Sequence, residues 1–260
     1  MRRYFVIGNP IEHSLSPELH NFWIKKNNIS AIYKKVKLEE TELKDFINKL
    51  RNEEIHGINV TVPFKNKVIK YLDKLSLEVE STDSVNTIYK SGKDIIGHNT
   101  DVAGFELGLR HSKINVLHKS ILILGAGGVV PSIIYSLLSM GCKKIYLSNR
   151  TISKAEDIKK KFNEIEVSKW GIIPDFDIVI NATSVGLKGD SLDIEFNVKD
   201  KVFYDVIYNP KETHFLKKAK ENGNKIENGK YMFIYQANQS FSIWNNVIPK
   251  IDKEVLKILE

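Results

Sequence analysis

The stretch ILILGAGGVVPSIIYSLLSMG, residues 121–141, decides the fold of the second half of the chain. Its pattern is that of a buried apolar strand, a turn that carries Gly125, Gly127 and Gly128, and an apolar helix over about residues 129–140. Bare glycine backbone at the start of a helix lets a pyrophosphate approach, and the helix dipole favours its negative charge. The stretch therefore predicts a dinucleotide site, with a tight structural turn as the alternative.

The segments after residue 141 keep the same alternation of strand and helix. The strand KIYLSNR, a helix from Thr151, and the strands FDIVINATS and KVFYDVIYNP follow in turn. Buried strands that alternate with helices indicate a doubly wound parallel sheet. We therefore predict a Rossmann-like nucleotide-binding domain over residues 101–235.

The end of the strand KIYLSNR indicates which dinucleotide binds. A site for NAD usually has Asp or Glu there, about 20 residues after the glycines, to hold the ribose hydroxyls. This chain has Asn149, Arg150 and Thr151 instead. A guanidinium can clamp the 2′-phosphate of NADP through paired charge-assisted bonds. The pattern favours NADP over NAD, although an exposed arginine beside an N-capping Thr151 would look the same.

The first hundred residues have an α/β pattern of their own. The strands YFVIG, AIYKKVKL and GINVTV alternate with a helix from about Pro17 to Asn27 and another over EETELKDFINKLR. This order implies parallel pairing through right-handed crossovers. Short strands around NTIYK and DIIGHN complete the pattern near residue 100. We predict an α/β substrate-binding domain over residues 1–100, completed by helices in residues 236–260 that pack back on it.

Lys65, in the stretch GINVTVPFKNKV at residues 57–68, stands where local rules disfavour it. Pro63 ends a strand and its fixed φ suits the start of a helix, which we expect near residue 64. A lysine in the first turn of a helix is repelled by the positive end of the helix dipole. Because residues that break local rules often serve function, Lys65 is a candidate functional residue.

Other candidate residues have ordinary explanations when each is taken alone. Asp101 starts a predicted helix, where an acid is most often a cap. Ser14 and Ser16 come just before Pro17 and could equally cap the helix that follows.

Taken together, the motifs of this chain resemble, in the same order, those of the shikimate dehydrogenases. They are GNPIEHSLSP, NVTVPFK, SVNT, GHNTDVAGF, GAGG, SNRT, NATSVG, DVIYNPKET and GKYMFIYQA. The resemblance extends from residue 4 to about residue 245. It implies an oxidoreductase that reversibly reduces 3-dehydroshikimate to shikimate with NADPH. It also implies a place in the shikimate pathway, which leads to chorismate and the aromatic amino acids.

The resemblance further implies the roles of individual residues. Lys65 and Asp101 correspond to the catalytic acid–base pair, which suits a reaction that builds an alkoxide and must protonate it. The implied substrate-binding residues are Ser14, Ser16, Thr61, Lys65, Asn86, Asp101, Tyr208 and Gln236. The implied cofactor-binding residues are Gly125, Ala126, Gly127, Gly128, Val129, Asn149, Arg150, Thr151, Thr183, Val206 and Gly229. No metal is implied.

The chain departs from the family pattern after the glycines. Small residues and a basic one usually follow there, whereas this chain has Val129, Val130 and Pro131. Without that base, Arg150 is expected to carry more of the phosphate recognition. Asp83 and Ser84 also replace the usual small pair before VNT.

Composition excludes several other classes of protein. The chain has 260 residues, of which 42% are hydrophobic and 27% charged, as in ordinary globular proteins. No apolar run reaches the length of a membrane span, and Asn9-Pro10 comes too early for a signal peptide. The single cysteine, Cys142, excludes an internal disulfide. We expect a cytoplasmic protein that is a monomer or a homodimer.

Three rival functions compete with that of an NADP-dependent enzyme. A quinate or dual quinate/shikimate dehydrogenase tends to carry an acid in place of Arg150. A non-catalytic NADP-sensing protein on the same fold would have lost Lys65 or Asp101. A nucleic-acid-binding regulator has only the net charge of +7 in its favour, and the basic residues are scattered among acids. That charge also suits an enzyme that handles anions.

Overall fold

The computed structural model describes residues 1–259, which divide into two compact units. The first unit is Met1–Gly104 together with the chain from Ile234 onward, and the second is Phe105–Phe233. Both crossings between the units lie inside helices, Thr100–His111 and Lys230–Asn245. The first crossing falls four residues after the boundary expected from the sequence, so Asp101 belongs to the first unit.

The first unit is built around a mixed six-stranded sheet. Its elements in chain order are β1 (Arg2–Gly8), α1 (Ser16–Lys26), β2 (Ala31–Lys37), α2 (Leu43–Arg51), β3 (Gly57–Val60), β4 (Lys74–Leu75), α3 (Leu77–Thr82), β5 (Thr87–Ser91), β6 (Asp94–His98) and the start of α4 (Thr100–His111), which continues into the second unit. The strand order is β2-β1-β3-β5-β6-β4. β1 is parallel to both β2 and β3, as the strand–helix alternation predicts, whereas β5 is antiparallel to its neighbours β3 and β6.

The helix expected near residue 64 is not present. After β3 the chain makes a turn in which the Phe64 N–H bonds to the Thr61 carbonyl at 2.9 Å, and the only regular element before β4 is a short 3-10 turn, Ile69–Tyr71. Phe64 and Val68 are buried in the core of this unit, so side-chain burial holds the segment. The φ of a proline suits a turn as well as a helix start. The helix-dipole argument for Lys65 is therefore wrong.

The second unit is a doubly wound sheet of six parallel strands. Its elements are β7 (Ser120–Leu124), α5 (Val130–Ser139), β8 (Lys144–Ser148), α6 (Ile152–Lys161), β9 (Ile165–Ser168), β10 (Ile178–Asn181), β11 (Val202–Asp205), α7 (His214–Glu221) and β12 (Lys225–Asn228). The strand order is β12-β11-β10-β7-β8-β9. The direction of winding reverses between β7 and β10, which is where ligands bind in open α/β sheets.

The apolar run of β7 is buried because the sheet is covered on both faces. Ile121 and Ile123 belong to one hydrophobic core with Ile133 of α5, whereas Leu122 and Leu124 belong to the other. Successive side chains of a strand point to opposite faces, so this division places one core on each side of the sheet.

The C-terminal helices α8 (Lys230–Asn245) and α9 (Lys253–Ile258) complete the first unit. The ring of Trp244 lies on Gly57, where an added Cβ would be 2.5 Å from ring atoms. Tyr4 donates to Asn245 Oδ1 at 3.0 Å, and the Trp23 indole donates to the Lys250 carbonyl at 3.1 Å. The predicted packing of the tail on the first domain is confirmed. Within residues 1–259, no helix has both the length and the apolar character that crossing a membrane requires.

Candidate active site

Lys65 and Asp101 form an ion pair in the first unit. Lys65 Nζ donates to Asp101 Oδ2, and the two side chains are only 13% and 8% exposed. Asp101 lies in the first turn of α4, where the helix dipole favours a carboxylate. The Lys65 carbonyl accepts the Val85 N–H at 2.8 Å, which ties the turn after β3 to the chain that enters β5. The two residues inferred to be catalytic are thus in direct contact.

Asn86 and Gln236 adjoin this pair. Asn86 Nδ2 donates to Asp101 Oδ1 at 3.0 Å and lies 3.4 Å from Gln236 Oε1. Both carboxylate oxygens of Asp101 are therefore engaged, one by a cation and one by an amide. Four of the residues inferred from the resemblance, Lys65, Asn86, Asp101 and Gln236, form one connected group.

Ser14 and Ser16 lie at the start of α1, and each has a partner in the fold. Ser14 Oγ accepts the Ser16 N–H at 3.3 Å, but the N-cap residue of α1 is Leu15, and no side chain caps the helix. Ser16 is buried, and so is the hydroxyl of Tyr33. That hydroxyl donates to Asn59 Oδ1 at 2.7 Å, and Asn59 Nδ2 donates to the Asn86 carbonyl at 2.9 Å. A chain of hydrogen bonds thus links Tyr33 to the group around Asp101.

The other two residues inferred to bind substrate are Thr61 and Tyr208. Thr61 follows β3 directly, and its methyl group lies 2.6 Å from where a Cβ on Gly8 would be, so only glycine leaves room for it. Tyr208 belongs to the second unit, where its ring stacks on Phe233 with centroids 4.4 Å apart.

In the glycine turn after β7, Gly125 is closely packed, whereas Gly127 and Gly128 are exposed. Gly125 has φ +108°, and a Cβ there would lie 2.8 Å from the Ala182 carbonyl oxygen, so the position requires glycine. An added Cβ on Gly127 would meet nothing closer than 4.0 Å. Gly127 and Gly128 are exposed just before α5. Exposed backbone at a helix N-terminus fits a pyrophosphate.

The segment after β8 places an exposed arginine at the same edge of the sheet. β8 pairs with β7 in parallel, with Leu124 opposite Ser148, so the two strands end side by side. Asn149 Nδ2 donates to the Thr151 carbonyl at 2.8 Å and shapes the turn. Thr151 is the N-cap residue of α6 but its side chain makes no capping bond. Arg150 has no ion pair or hydrogen bond with any residue between 1 and 259, which leaves its guanidinium available for an anion.

The remaining cofactor candidates also lie at carboxyl ends of strands in the second unit. Thr183 follows β10, and its hydroxyl donates to Asn181 Oδ1 at 2.7 Å. Val206 follows β11 and Gly229 follows β12. A Cβ on Gly229 would collide with the Val206 carbonyl oxygen, so glycine is required there. All the residues inferred to bind cofactor therefore share one edge of the parallel sheet.

Sequence reasoning missed a buried polar group behind this edge. Asp205 accepts hydrogen bonds from the Thr213 hydroxyl at 2.6 Å, the Ile207 N–H at 3.0 Å and Asn181 Nδ2 at 3.1 Å. Burial raises the pKa of Asp205 to about 6, and these three bonds oppose that rise. The sequence feature that could have indicated this group is an acidic residue at the end of the otherwise apolar strand VFYD.

Comparison with known proteins decides the family. The family profile described as "Shikimate dehydrogenase substrate binding domain" matches residues 6–88, and that of "Shikimate / quinate 5-dehydrogenase" matches residues 108–187. A shikimate dehydrogenase (NADP(+)) of Pelagibacter ubique (strain HTCC1062) is 55% identical over 262 residues, which cover 100% of this chain and 99% of that protein. The chain belongs to the shikimate dehydrogenase family. The predicted resemblance is confirmed.

Solved structures of shikimate dehydrogenases have the same architecture. The shikimate 5-dehydrogenase of Listeria monocytogenes, in complex with shikimate and NAD, has a TM-score of 0.91 at 30% identity and covers 100% of this chain and 96% of its own. The enzyme of Thermus thermophilus, in complex with NADP(H) and shikimate, has a TM-score of 0.89 at 27% identity, with 100% and 97% covered. The predicted fold class is confirmed.

Proposed function

We propose that this chain is an NADP-dependent shikimate dehydrogenase, which reversibly reduces 3-dehydroshikimate to shikimate. The observation that carries the proposal is the buried ion pair of Lys65 with Asp101. A lysine held by a carboxylate beside amide side chains offers both a proton and a positive charge, which reduction of a ketone requires. Its place is in the shikimate pathway, which leads to chorismate and the aromatic amino acids.

In the proposed mechanism Lys65 is the acid that completes reduction. NADPH supplies the hydride when it is bound. Negative charge then develops on the former carbonyl oxygen, and Lys65 Nζ stabilises it and donates a proton to it. Asp101 holds Nζ in place and balances its charge. In the reverse direction Lys65 accepts the proton of the hydroxyl that is oxidised.

The other side chains of the first unit are proposed to orient the substrate. Ser14 and Ser16 hold its carboxylate, and Thr61, Asn86 and Gln236 bind its hydroxyls. Tyr208 is also proposed to bind the substrate. Buried hydroxyl and amide groups at defined positions reject analogues that lack the matching group more strongly than an apolar pocket does.

The cofactor is proposed to lie along the carboxyl edge of the parallel sheet in the second unit. Gly125, Ala126, Gly127, Gly128 and Val129 hold the pyrophosphate, which the exposed backbone before α5 supports. Asn149, Arg150 and Thr151 hold the adenosine end, with Arg150 on the 2′-phosphate. Thr183, Val206 and Gly229 flank the nicotinamide end.

One assay tests the function directly. The purified chain is mixed with shikimate and either NADP or NAD, and formation of reduced nicotinamide is followed by absorbance. Faster reduction of NADP than of NAD is expected, with Lys65→Ala as the inactive control. Absence of reduction with either cofactor would falsify the proposal.

A second candidate substrate is quinate, because the family profile that matches residues 108–187 covers both activities. The same assay with quinate in place of shikimate separates the two. We propose shikimate as the preferred substrate, and a higher kcat/KM for quinate would reverse that assignment. We also propose that the enzyme works in the cytoplasm as a monomer or a homodimer, which sedimentation velocity would distinguish.

A further inference from the structure

Four buried polar side chains pack together beside Asn86, and the proposed function uses none of them. They are Asn59, Thr87, Thr100 and Ser240, which we call the polar cluster. Each comes from a different element: β3, β5, α4 and α8 respectively. All four are 6% exposed or less. Buried polar groups are costly unless each finds a partner, so the contacts within such a cluster fix the positions of its members.

Ser240 is the common partner within the polar cluster. Its Oγ lies 3.1 Å from Asn59 Nδ2, 3.2 Å from Thr87 Oγ1 and 3.4 Å from Thr100 Oγ1. Its own proton is donated to the Gln236 carbonyl, one helical turn earlier, at 2.8 Å. Because a hydroxyl has a single proton, Ser240 Oγ serves the other members as an acceptor.

The polar cluster determines which way the Asn86 carboxamide points. Asn86 Oδ1 accepts the Thr100 backbone N–H at 2.7 Å and lies 3.1 Å from Thr87 Oγ1, whereas Asn86 Nδ2 donates to Thr100 Oγ1 at 2.9 Å. The backbone N–H can only donate and therefore requires an oxygen on that side. The amide nitrogen must therefore face the other way, where Nδ2 donates to Asp101 Oδ1 at 3.0 Å.

We propose that the polar cluster positions Asn86 and, through it, holds Asp101 in the orientation that pairs with Lys65. Ser240 is then a positioning residue that acts on the catalytic pair from the C-terminal helix α8. This inference rests on the proposed function, because it concerns the same site. It assigns a role to Asn86 besides that of binding a substrate hydroxyl.

The first test compares two serines of the same helix. Ser242 donates to the Asn238 carbonyl at 2.8 Å, the same type of bond that Ser240 makes, but it has no hydrogen bond to the polar cluster. Ser240→Ala is expected to lower kcat about 10-fold with little change in KM for shikimate, because a small misplacement of a catalytic group slows the chemical step. Ser242→Ala is expected to keep the wild-type kcat. A wild-type kcat for Ser240→Ala, or equal losses in the two variants, would overturn the proposal.

A second pair of variants keeps the test valid if Ser240→Ala folds poorly. Thr87→Val keeps the shape of the side chain and removes the hydroxyl, whereas Thr87→Ser keeps the hydroxyl. We expect Thr87→Val to lower kcat and Thr87→Ser to restore most of it. A purely structural role predicts instead that both variants change the melting temperature and leave kcat of the folded protein unchanged, which would overturn the proposal.

A double-mutant cycle tests whether Ser240 acts through Asn86. In an Asn86→Ala background, the further change Ser240→Ala is expected to cost almost nothing, since the group it positions is gone. The same fold loss in both backgrounds would refute the coupling. If the wild type itself fails to oxidise shikimate, the proposed function falls and this inference with it. If the wild type is active but the effects of the Ser240 and Asn86 substitutions are independent of each other, only this inference is overturned.

Discussion

The two units of this protein build their candidate sites in opposite ways. In the first unit the site consists of buried side chains that bind one another, such as Lys65, Asp101 and Asn86. In the second unit it consists mainly of backbone at a sheet edge, with exposed glycines and the exposed side chain of Arg150. A buried network holds its charges at fixed positions for a chemical step, whereas an exposed edge leaves its groups available to a ligand. Substitutions should therefore affect kcat in the first unit and cofactor affinity in the second.

The largest effect is expected at the ion pair. Lys65→Ala should lower kcat about 10²–10⁴-fold, the usual contribution of a positioned acid–base group, while substrate binding changes far less. Asp101→Asn should lower kcat by a factor in the same range, because Lys65 loses its charged partner. Steady-state kinetics of both single variants and the double variant provide the measurement. The double variant should be far from additive, since the two groups act as a unit. Losses that multiply cleanly would show that the two residues work independently.

The next largest effect concerns the stability of the fold and not catalysis. It arises from Asp205, the buried carboxyl group of the second unit. The pKa of Asp205 is raised by burial to about 6 from an ordinary value of 3.8. The folded state therefore binds this proton more tightly than the unfolded state. The resulting stabilisation is complete below about pH 4 and is lost as the pH rises through 6. At about 1.4 kcal/mol per pKa unit, the loss amounts to roughly 3 kcal/mol.

Denaturant unfolding between pH 4 and pH 7 measures this loss. The free energy of unfolding of the wild type, relative to that of Asp205→Asn, should fall as the pH rises. Asp175→Asn serves as control, because the Asp175 side chain is fully exposed and should show no such trend. A difference between wild type and Asp205→Asn that stays constant with pH would contradict the raised pKa.

Two glycines of the same turn are expected to have different roles: Gly125 in the stability of the fold and Gly127 in cofactor binding. Gly125→Ala places a Cβ at φ +108° and 2.8 Å from a backbone oxygen, so the free energy of unfolding should fall by about 2 kcal/mol or more. Gly127→Ala has 4.0 Å of clearance and should leave the melting temperature unchanged. It should nevertheless weaken NADP binding, because its methyl group projects from exposed backbone at the helix start. Equal melting temperatures for the two variants would show that Gly125 is not needed by the fold.

The same contrast explains how much of each site could be predicted from the sequence. The glycine turn and the end of β8 are local: a strand, three glycines and an arginine lie close together in the chain, so periodicity and spacing suffice. The helix expected after Pro63 was wrong because a proline constrains only φ, and the burial of Phe64 and Val68 selected a turn instead. Lys65 was chosen for a reason that does not hold, although the residue itself contacts Asp101.

The polar cluster could not be predicted from local sequence patterns. Asn59 and Ser240 are 181 positions apart in the chain, and Thr87 and Ser240 are 153 apart. A serine within the helix α8 has no neighbour in sequence that indicates a buried partner. Only the tertiary contacts of α8 with β3 and β5 bring these side chains together. Networks of this kind become visible when the tertiary structure is known.

The smallest effect is expected at Arg150, and it tests whether the sheet edge distinguishes the two dinucleotides. Arg150 is exposed, so its contact with the 2′-phosphate is partly screened by solvent and salt. Arg150→Ala should raise the KM for NADP about 10-fold, or roughly 1.4 kcal/mol, and leave kcat close to the wild-type value. NAD has no phosphate at that position, so its weaker use should stay nearly unchanged. Measuring kcat/KM with both cofactors, at low and at high salt, separates recognition of the phosphate from support of the turn. Because Asn149 shapes that turn through the Thr151 carbonyl, we expect the turn to form without the guanidinium. Equal losses for NADP and NAD would mean that Arg150 maintains the turn and does not select the cofactor.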